Sequence, residues 1–186
     1  MRLFVAIPLP PDVAARAFEI LPTSLPALRR VKVENLHLTL AFLGHTPDER
    51  LNEVTAAATD SASAISPFTL AFDRAGRFPD RGRPRVVWLG IAEGEPSVLA
   101  LGEGVYTGLR NRGLRFDDRP LAPHLTLARV AEDASAAEAK TVAAALADLA
   151  IGSLEFEVRD IAVVQSVLSP KGPRYTALAT VPLAQS

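Results

Sequence analysis

One short motif occurs twice in the sequence and contains two of its three histidines. The segment His-Leu-Thr-Leu-Ala stands at His37–Ala41 and again at His124–Ala128. The composition of the chain gives an expected number of chance copies of His-Leu-Thr-Leu of only about 0.003. The repeat therefore indicates two equivalent structural units, each of which contributes one histidine.

The alternation of apolar and polar residues in the motif predicts a β-strand with chemistry on one face. His37 and Thr39 share a face, and so do His124 and Thr126, because side chains two residues apart on a strand point the same way. An unperturbed imidazole has a pKa of about 6.5, so a facing pair can remove one proton and deliver another. Threonine hydroxyls can donate to phosphoryl oxygens where charge develops. The two histidines and the two threonines together predict in-line cleavage of a phosphodiester without a metal ion.

Other readings of these residues are weaker. A single such strand would most often be an amphipathic strand with a solvated histidine, and only the duplication reverses this expectation. His45 lacks the following threonine and is interpreted as a solvated loop residue. The chain has no cysteine and no His-Glu-x-x-His spacing for zinc, and it lacks the glycine patterns of serine hydrolases, P-loops and dinucleotide-binding folds.

Two similar successions of strands and helices surround the motifs. The first half reads as strand, helix, strand or strand pair, helix and strand, covering Leu3–Pro8, Pro11–Leu21, Val31–Gly44, Thr46–Ala64 and Pro67–Asp73. Helix starts are indicated by capping boxes at Thr46 with Glu49 and at Ser135 with Glu138. The second half repeats the order and adds strands, covering Arg85–Ile91, Pro96–Arg110, Pro123–Val130, Ser135–Gly152, Leu154–Val158, Ile161–Leu168 and Tyr175–Val181.

This order predicts an α+β fold that is bilobal and duplicated. Each lobe would be a split β-α-β unit, with two antiparallel sheets flanking a central cleft and helices on the outer faces. Residues 1–186 are expected to form one two-lobed domain, with approximate halves 1–80 and 81–186.

Composition restricts the setting in which the protein acts. The formal charge is −1, so a polyanion site must be local, and the absence of cysteine excludes disulfides and thiolate chemistry. The N-terminal run is broken by prolines and resembles a strand more than a signal peptide, and no segment has the roughly 20 apolar residues that span a bilayer. We expect a cytoplasmic monomer that does not contact membranes.

Four segments together resemble a known enzyme family over nearly the whole chain. They are ENLHLTLAFLG, GRFPDRGRPRVVWLGI, RPLAPHLTLARV and LSPKGPRY. Their paired H-x-T-x motifs are similar to those of the two-histidine phosphoesterases, in particular the RNA 2′,3′-cyclic phosphodiesterase branch, also called 2′-5′ RNA ligases. The resemblance implies hydrolysis of RNA 2′,3′-cyclic phosphate to the 2′-phosphate, without cofactor or metal, and ligation in some members.

The resemblance also assigns roles to the four motif residues. His37 would be the proton donor to the leaving 3′ oxygen and His124 the proton acceptor that activates water, with Thr39 and Thr126 binding the phosphate. The residues themselves leave open which histidine is the donor.

Several residues outside the motifs are candidates for contact with RNA. They are Arg77, Arg81 and Arg83 in an arginine-rich loop that also holds Arg74 and Arg85, together with Arg129 and Tyr175, and more weakly Arg30, Lys32, Lys171 and Arg174. Strict alternation places Arg129 and Phe42 on the face opposite the histidines. Phe42 is therefore predicted to be core, and only a bulge or a strand end would turn Arg129 toward the histidines.

Two alternatives remain open at this stage. One is a noncatalytic protein that binds RNA ends, whose histidines only hydrogen-bond phosphate. The other is the same chemistry on a small cyclic nucleotide or a nucleotide-sugar cyclic phosphate.

Overall fold

The computed structural model describes residues 1–25, 27–170 and 172–185. Lys171, one of the weaker RNA-contact candidates, lies outside them. Within the described residues the α-helices are α1 (Pro11–Glu19), α2 (Leu51–Ala62), α3 (Glu95–Asn111) and α4 (Ala136–Ala147). The strands are β1 (Arg2–Pro8), β2 (Leu28–Arg30), β3 (His37–His45), β4 (Phe68–Phe78), β5 (Val86–Glu93), β6 (Leu125–Val130), β7 (Leu154–Val158), β8 (Asp160–Val167) and β9 (Arg174–Pro182).

All of these strands join in one antiparallel sheet. Its order is β7-β4-β5-β6-β3-β1-β8-β9, and the short strand β2 pairs with β6. The two motif strands meet at its centre, where β3 and β6 share the single register pair Leu38 and Leu125. We call the strands on one side, β3, β1, β8 and β9, the His37 arm, and those on the other, β6, β5, β4 and β7, the His124 arm. The predicted α+β duplication is confirmed, and the two expected sheets are the two arms of this sheet.

The arms are interleaved along the chain. β4 belongs to the first half of the sequence but pairs with β5 and β7 in the His124 arm. The C-terminal strands β8 and β9 return to the N-terminal β1, because β8 pairs with β1 and β9 with β8. The two arms therefore differ from the sequence halves 1–80 and 81–186.

The helices cover one face of the sheet and leave the other free. Leu38 and Leu125 lie fully buried in one apolar core with residues of all four helices. Helices α2 and α3 pack closely, because a Cβ atom at Gly108 would stand 2.9 Å from the backbone of Ala57. The opposite face of the sheet carries the histidines, so the core fixes their backbone while their half-buried side chains lie on the face that the helices leave uncovered.

One of the two predicted capping boxes is confirmed. At the start of α4 the Ser135 hydroxyl accepts a hydrogen bond from the backbone N–H of Glu138, and the Glu138 carboxylate accepts one from the N–H of Ser135. The box predicted at Thr46 is wrong. A 3₁₀ turn over Asp48–Arg50 precedes α2, and the Thr46 hydroxyl instead lies 3.4 Å from the carbonyl oxygen of Gly44.

Candidate active site

A β-bulge occurs at the same place in both motif copies. In β3, Thr39 pairs with Ala6 and Ala41 pairs with Val5, which leaves Leu40 as the extra residue. In β6, Thr126 pairs with Trp88 and Ala128 with Val87, which leaves Leu127 as the extra residue. A bulge shifts the alternation of side chains by one residue. The duplication thus extends from the sequence to the backbone geometry of the strand.

The bulges turn the residue after each motif onto the histidine face. Phe42 and Arg129 are the two residues concerned, and they occupy equivalent positions. Phe42 is 54% exposed, so its predicted place in the core is wrong. Arg129 is exposed on the face that carries Thr126, because the bulge interrupts the strict alternation. The His124 arm therefore carries the cationic Arg129 at the position where the His37 arm has the phenyl ring of Phe42.

Each histidine is held by a backbone carbonyl two residues before it. His37 Nδ1 lies 2.7 Å from the carbonyl oxygen of Asn35, and His124 Nδ1 lies 2.6 Å from that of Ala122. A carbonyl oxygen only accepts, so Nδ1 carries the proton in both rings and Nε2 keeps its lone pair in the neutral form. The Thr39 hydroxyl lies 3.1 Å from His37 Nε2 and donates to it. Both rings are thus prepared to exchange a proton at Nε2.

Asn35 connects the first motif to the hairpin between β8 and β9. Its side chain is buried, and its Nδ2 donates to the carbonyl oxygen of Pro173 at 2.9 Å. Ala122 stands at the equivalent position of the second motif, so this link exists in one arm only. Sequence reasoning missed Asn35, although it stands two residues before His37 in the ENLH segment.

Burial and neighbouring charge lower the pKa of both histidines. Desolvation is the main cause in each ring, and the hydrogen bond to the carbonyl partly opposes it. The charge that His124 would carry further lowers the pKa of His37, so the two rings interact. The positive charge of Arg129 further lowers the pKa of His124. Both rings are therefore predominantly neutral at neutral pH before a ligand binds.

Aromatic rings pack against each histidine, but from different strands. The His37 ring centroid lies 4.8 Å from that of Phe4 and 5.3 Å from that of Tyr175. The His124 centroid lies 5.0 Å from that of Phe78 and 6.3 Å from that of Trp88. Tyr175, a sequence-predicted candidate, is thus brought to the site.

The arginines of the β4–β5 hairpin differ in whether their guanidinium groups donate hydrogen bonds to backbone carbonyls. Arg83 donates to the carbonyl oxygens of Glu132 at 2.8 Å and Ala134 at 2.5 Å, so it attaches the hairpin to the segment before α4. Arg77 donates to the carbonyl oxygen of Gly82 at 2.5 Å, within the hairpin itself. Arg81 is exposed at the tip of the hairpin. Of these three candidates, Arg81 is the one whose guanidinium makes no hydrogen bond within the described residues.

Neither a cluster of metal-binding side chains nor a membrane-spanning helix occurs in the described residues. Over 1–25, 27–170 and 172–185, no three His, Asp or Glu side chains are grouped so that they could hold a metal ion. In the same ranges, no helix combines the length and the apolar character required to cross a bilayer.

The paired motifs on a duplicated antiparallel sheet define a class of phosphoesterase fold. Comparison with known proteins identifies the family within this class. The family model described as the 2′-5′ RNA ligase superfamily matches residues 9–168, and the chain belongs to this family. The RNA 2′,3′-cyclic phosphodiesterase of Thermus thermophilus is 38% identical over 186 residues, covering 96% of this chain and 88% of the relative. That of Archaeoglobus fulgidus is 35% identical over 180 residues, covering 96% and 98%.

Solved structures share the fold over the whole chain. A crystal structure of a Thermus thermophilus protein has a TM-score of 0.80 at 33% identity, covering 98% of each chain. Escherichia coli LigT in complex with 3′-AMP has a TM-score of 0.76 at 28% identity, covering 99% of this chain and 98% of that one.

Proposed function

We propose that this chain hydrolyses RNA ends that carry a 2′,3′-cyclic phosphate and leaves a 2′-phosphate. The relatives at 35% and 38% identity bear the name RNA 2′,3′-cyclic phosphodiesterase. The observation that carries the proposal is the pair of imidazoles in which Nδ1 is bound to a backbone carbonyl, so that Nε2 is the nitrogen that exchanges a proton. Such a pair supplies both proton transfers that opening a cyclic phosphodiester requires.

The reaction proceeds by in-line attack on phosphorus. His124 Nε2 removes a proton from water as the water oxygen attacks phosphorus, and the bond from phosphorus to the 3′ oxygen breaks. His37 Nε2 delivers a proton to that 3′ oxygen, and the phosphate stays on the 2′ oxygen. Thr39 and Thr126 hold the phosphoryl oxygens, where negative charge increases in the transition state. The Thr39 hydroxyl exchanges its bond to His37 for one to phosphate.

Arg129 supports the assignment of His124 as the base. Its positive charge lowers the pKa of His124, which favours the neutral form that accepts a proton. An anionic phosphate bound beside both rings favours the imidazolium form and raises both pKa values, and the charge of Arg129 opposes this rise at His124. Substrate binding therefore favours the protonated form of His37, which later donates this proton.

One copy of the chain carries the complete pair of motifs, and we propose that residues 1–186 act as a monomeric, two-lobed domain in the cytoplasm. Arg81 on the hairpin and Arg129 beside His124 are two exposed cations that an RNA backbone would contact.

The proposal is tested with a short RNA ending in a 2′,3′-cyclic phosphate, incubated with the protein in EDTA. Chromatography that separates 2′- from 3′-phosphate ends should show the 2′-phosphate only. His37→Ala and His124→Ala are run alongside. Binding without cleavage would contradict the proposal and indicate an RNA-end binding protein. Cleavage of adenosine 2′,3′-cyclic phosphate but not of the RNA would contradict RNA as the substrate.

A further inference from the structure

Three side chains with unpaired hydrogen-bond donors lie together on the histidine face, next to His37. They are Arg2, Arg129 and Tyr175, which we call the Tyr175 cluster. Both arginines are exposed, and Tyr175 is half-buried. Within residues 1–25, 27–170 and 172–185, neither the two guanidinium groups nor the Tyr175 hydroxyl makes a hydrogen bond or an ion pair. These donors are therefore not used to hold the fold together.

The alternation of side chains along β1 places Arg2 on the histidine face. Leu3 points into the core that the helices cover, whereas Phe4 belongs to a small cluster that packs against Tyr175. Arg2 shares the face of Phe4, because it stands two residues before it on the strand. The register of β1 with β8 continues to Arg2 opposite Ser166, and Ser166 pairs with Tyr175. Arg2 and Tyr175 thus lie in one row across the His37 arm.

Arg129 approaches Tyr175 from the other arm. The bulge in β6 turns Arg129 onto the histidine face. Burial raises the pKa of Tyr175, and the positive charges of Arg129 and Arg2 partly oppose this rise. Both guanidinium groups therefore lie close enough to the Tyr175 hydroxyl to act on its charge. Two cations and a hydroxyl donor, brought together from both arms, form a set of donors suited to an anion.

The orientation of the substrate decides which anion this cluster would meet. In the proposed reaction the 3′ oxygen receives the proton of His37, so the nucleoside lies on the His37 side of the phosphorus. The Tyr175 ring centroid lies 5.3 Å from that of His37. A nucleotide within RNA carries a second phosphate on its O5′, one ribose away from the cyclic phosphate. This second phosphate is the anion nearest to the Tyr175 cluster when the cyclic phosphate lies between the two histidines.

We propose that the Tyr175 cluster binds the phosphate on O5′ of the nucleotide that carries the cyclic phosphate, so that the enzyme selects substrates with a second phosphate. This inference rests on the proposed function and on its assignment of His37 as the donor. The second phosphate is a diester in RNA and a monoester in a 5′-phosphorylated mononucleotide. A guanidinium group binds either one, because it presents several N–H donors to the phosphate oxygens. A nucleoside cyclic phosphate leaves these donors unpaired.

The test compares three substrates with the full-length protein. They are adenosine 2′,3′-cyclic phosphate, the same compound with a 5′-phosphate, and a 3′-5′-linked diadenosine RNA that ends in a 2′,3′-cyclic phosphate. The wild type should hydrolyse the two substrates with a second phosphate with a kcat/KM at least about tenfold higher, which is the size expected for a hydrogen bond to a charged group. Arg2→Gln should reduce this preference to less than about threefold. Tyr175→Phe keeps the ring beside His37 and should reduce the preference by a smaller factor.

Arg174→Gln is the matched control. It removes an exposed arginine that is adjacent to Tyr175 in sequence but points to the opposite face of β9, so it should keep the preference. A wild type without the preference, or an Arg2→Gln variant that retains it, would overturn the proposed site. Loss of the preference in Arg174→Gln as well would show a general effect of surface charge and would also overturn it.

The three substrates also separate the source of the second phosphate and the two levels of the proposal. A preference for the diadenosine RNA alone supports the site and assigns it to the phosphodiester of RNA. A preference for the 5′-phosphorylated nucleotide alone supports the site and assigns it to a monoester. Failure of the wild type to hydrolyse any of the three would contradict the proposed function itself, whereas hydrolysis of all three with equal kcat/KM contradicts the phosphate site alone.

Discussion

The two arms share a backbone plan and differ in the side chains placed on it. Each arm has a bulge at the leucine after the threonine, and each fixes its histidine through Nδ1 to a carbonyl. His37, however, packs against Phe4 and Tyr175, whereas His124 packs against Phe78 and Trp88 and also adjoins Arg129. The comparison teaches that duplication supplies two histidines held in the same geometry, and that a few neighbouring side chains then give each of them a different electrostatic environment.

Removing either imidazole should have the largest effect, because it leaves the two arms with one proton-transfer group. We expect His37→Ala and His124→Ala each to lower kcat by about 10² to 10⁴. The matched control is His45→Ala, at the exposed end of β3 where His45 pairs with Arg2. It should retain wild-type kcat on cyclic-phosphate RNA. Normal turnover by either motif variant would contradict the assignment.

Removing one threonine hydroxyl should have the next largest effect and test whether the arms hold the phosphate equally. Thr39→Ala and Thr126→Ala should each reduce kcat by about 10², the usual loss for one donor to a developing oxyanion. Thr→Ser at each position should recover most of this activity. Thr141→Ala serves as the control, because the Thr141 hydroxyl only bonds within α4. Equal losses in alanine and serine variants would show that the hydroxyls do not act as donors.

Asn35→Ala removes the hydrogen bond that ties the first motif to the β8–β9 hairpin, which only the His37 arm has. The Asn35 carbonyl that holds His37 remains, while the hydrogen bond to Pro173 is lost. Loss of one such bond should lower the free energy of unfolding by about 1 kcal/mol, measured in urea. We expect a decrease of roughly tenfold in kcat/KM, since a displaced hairpin misplaces Tyr175 beside His37. Unchanged kinetics would mean that the link only stabilises the fold.

Arg129→Gln should have the smallest effect and acts on the electrostatic difference between the arms. Arg129 lowers the pKa of His124, so its removal raises that pKa. The base must be neutral to act, and activity is lost as pH falls through its pKa. The acidic limb of the kcat/KM profile should therefore move to higher pH. Phe42→Leu, at the equivalent position, should leave this limb in place, and an unmoved limb in Arg129→Gln would contradict the role of Arg129.

Local patterns predicted the motif strands, because alternation is a property of the strand itself. His37 and Thr39 share a face in the structure as the spacing indicates. Phe42 and Arg129 could not be placed in this way, because a bulge depends on the register with the neighbouring strand. The bond from Asn35 to Pro173 joins residues 138 positions apart, and no local signal reports such a contact. β4 also extends past Asp73 to Phe78, because pairing with β5 holds residues that resemble a loop in isolation.

The return of β8 and β9 to β1 has a consequence for the order in which the site is assembled. During synthesis the first histidine motif leaves the ribosome long before the strands that complete its surroundings. Until Asp160–Val167 is made, β1 has an open edge with an apolar sequence, which is a template for aggregation. Tyr175 and the carbonyl that binds Asn35 arrive later still. A chain cut short before β8 would therefore carry both histidines and yet lack a finished catalytic pocket.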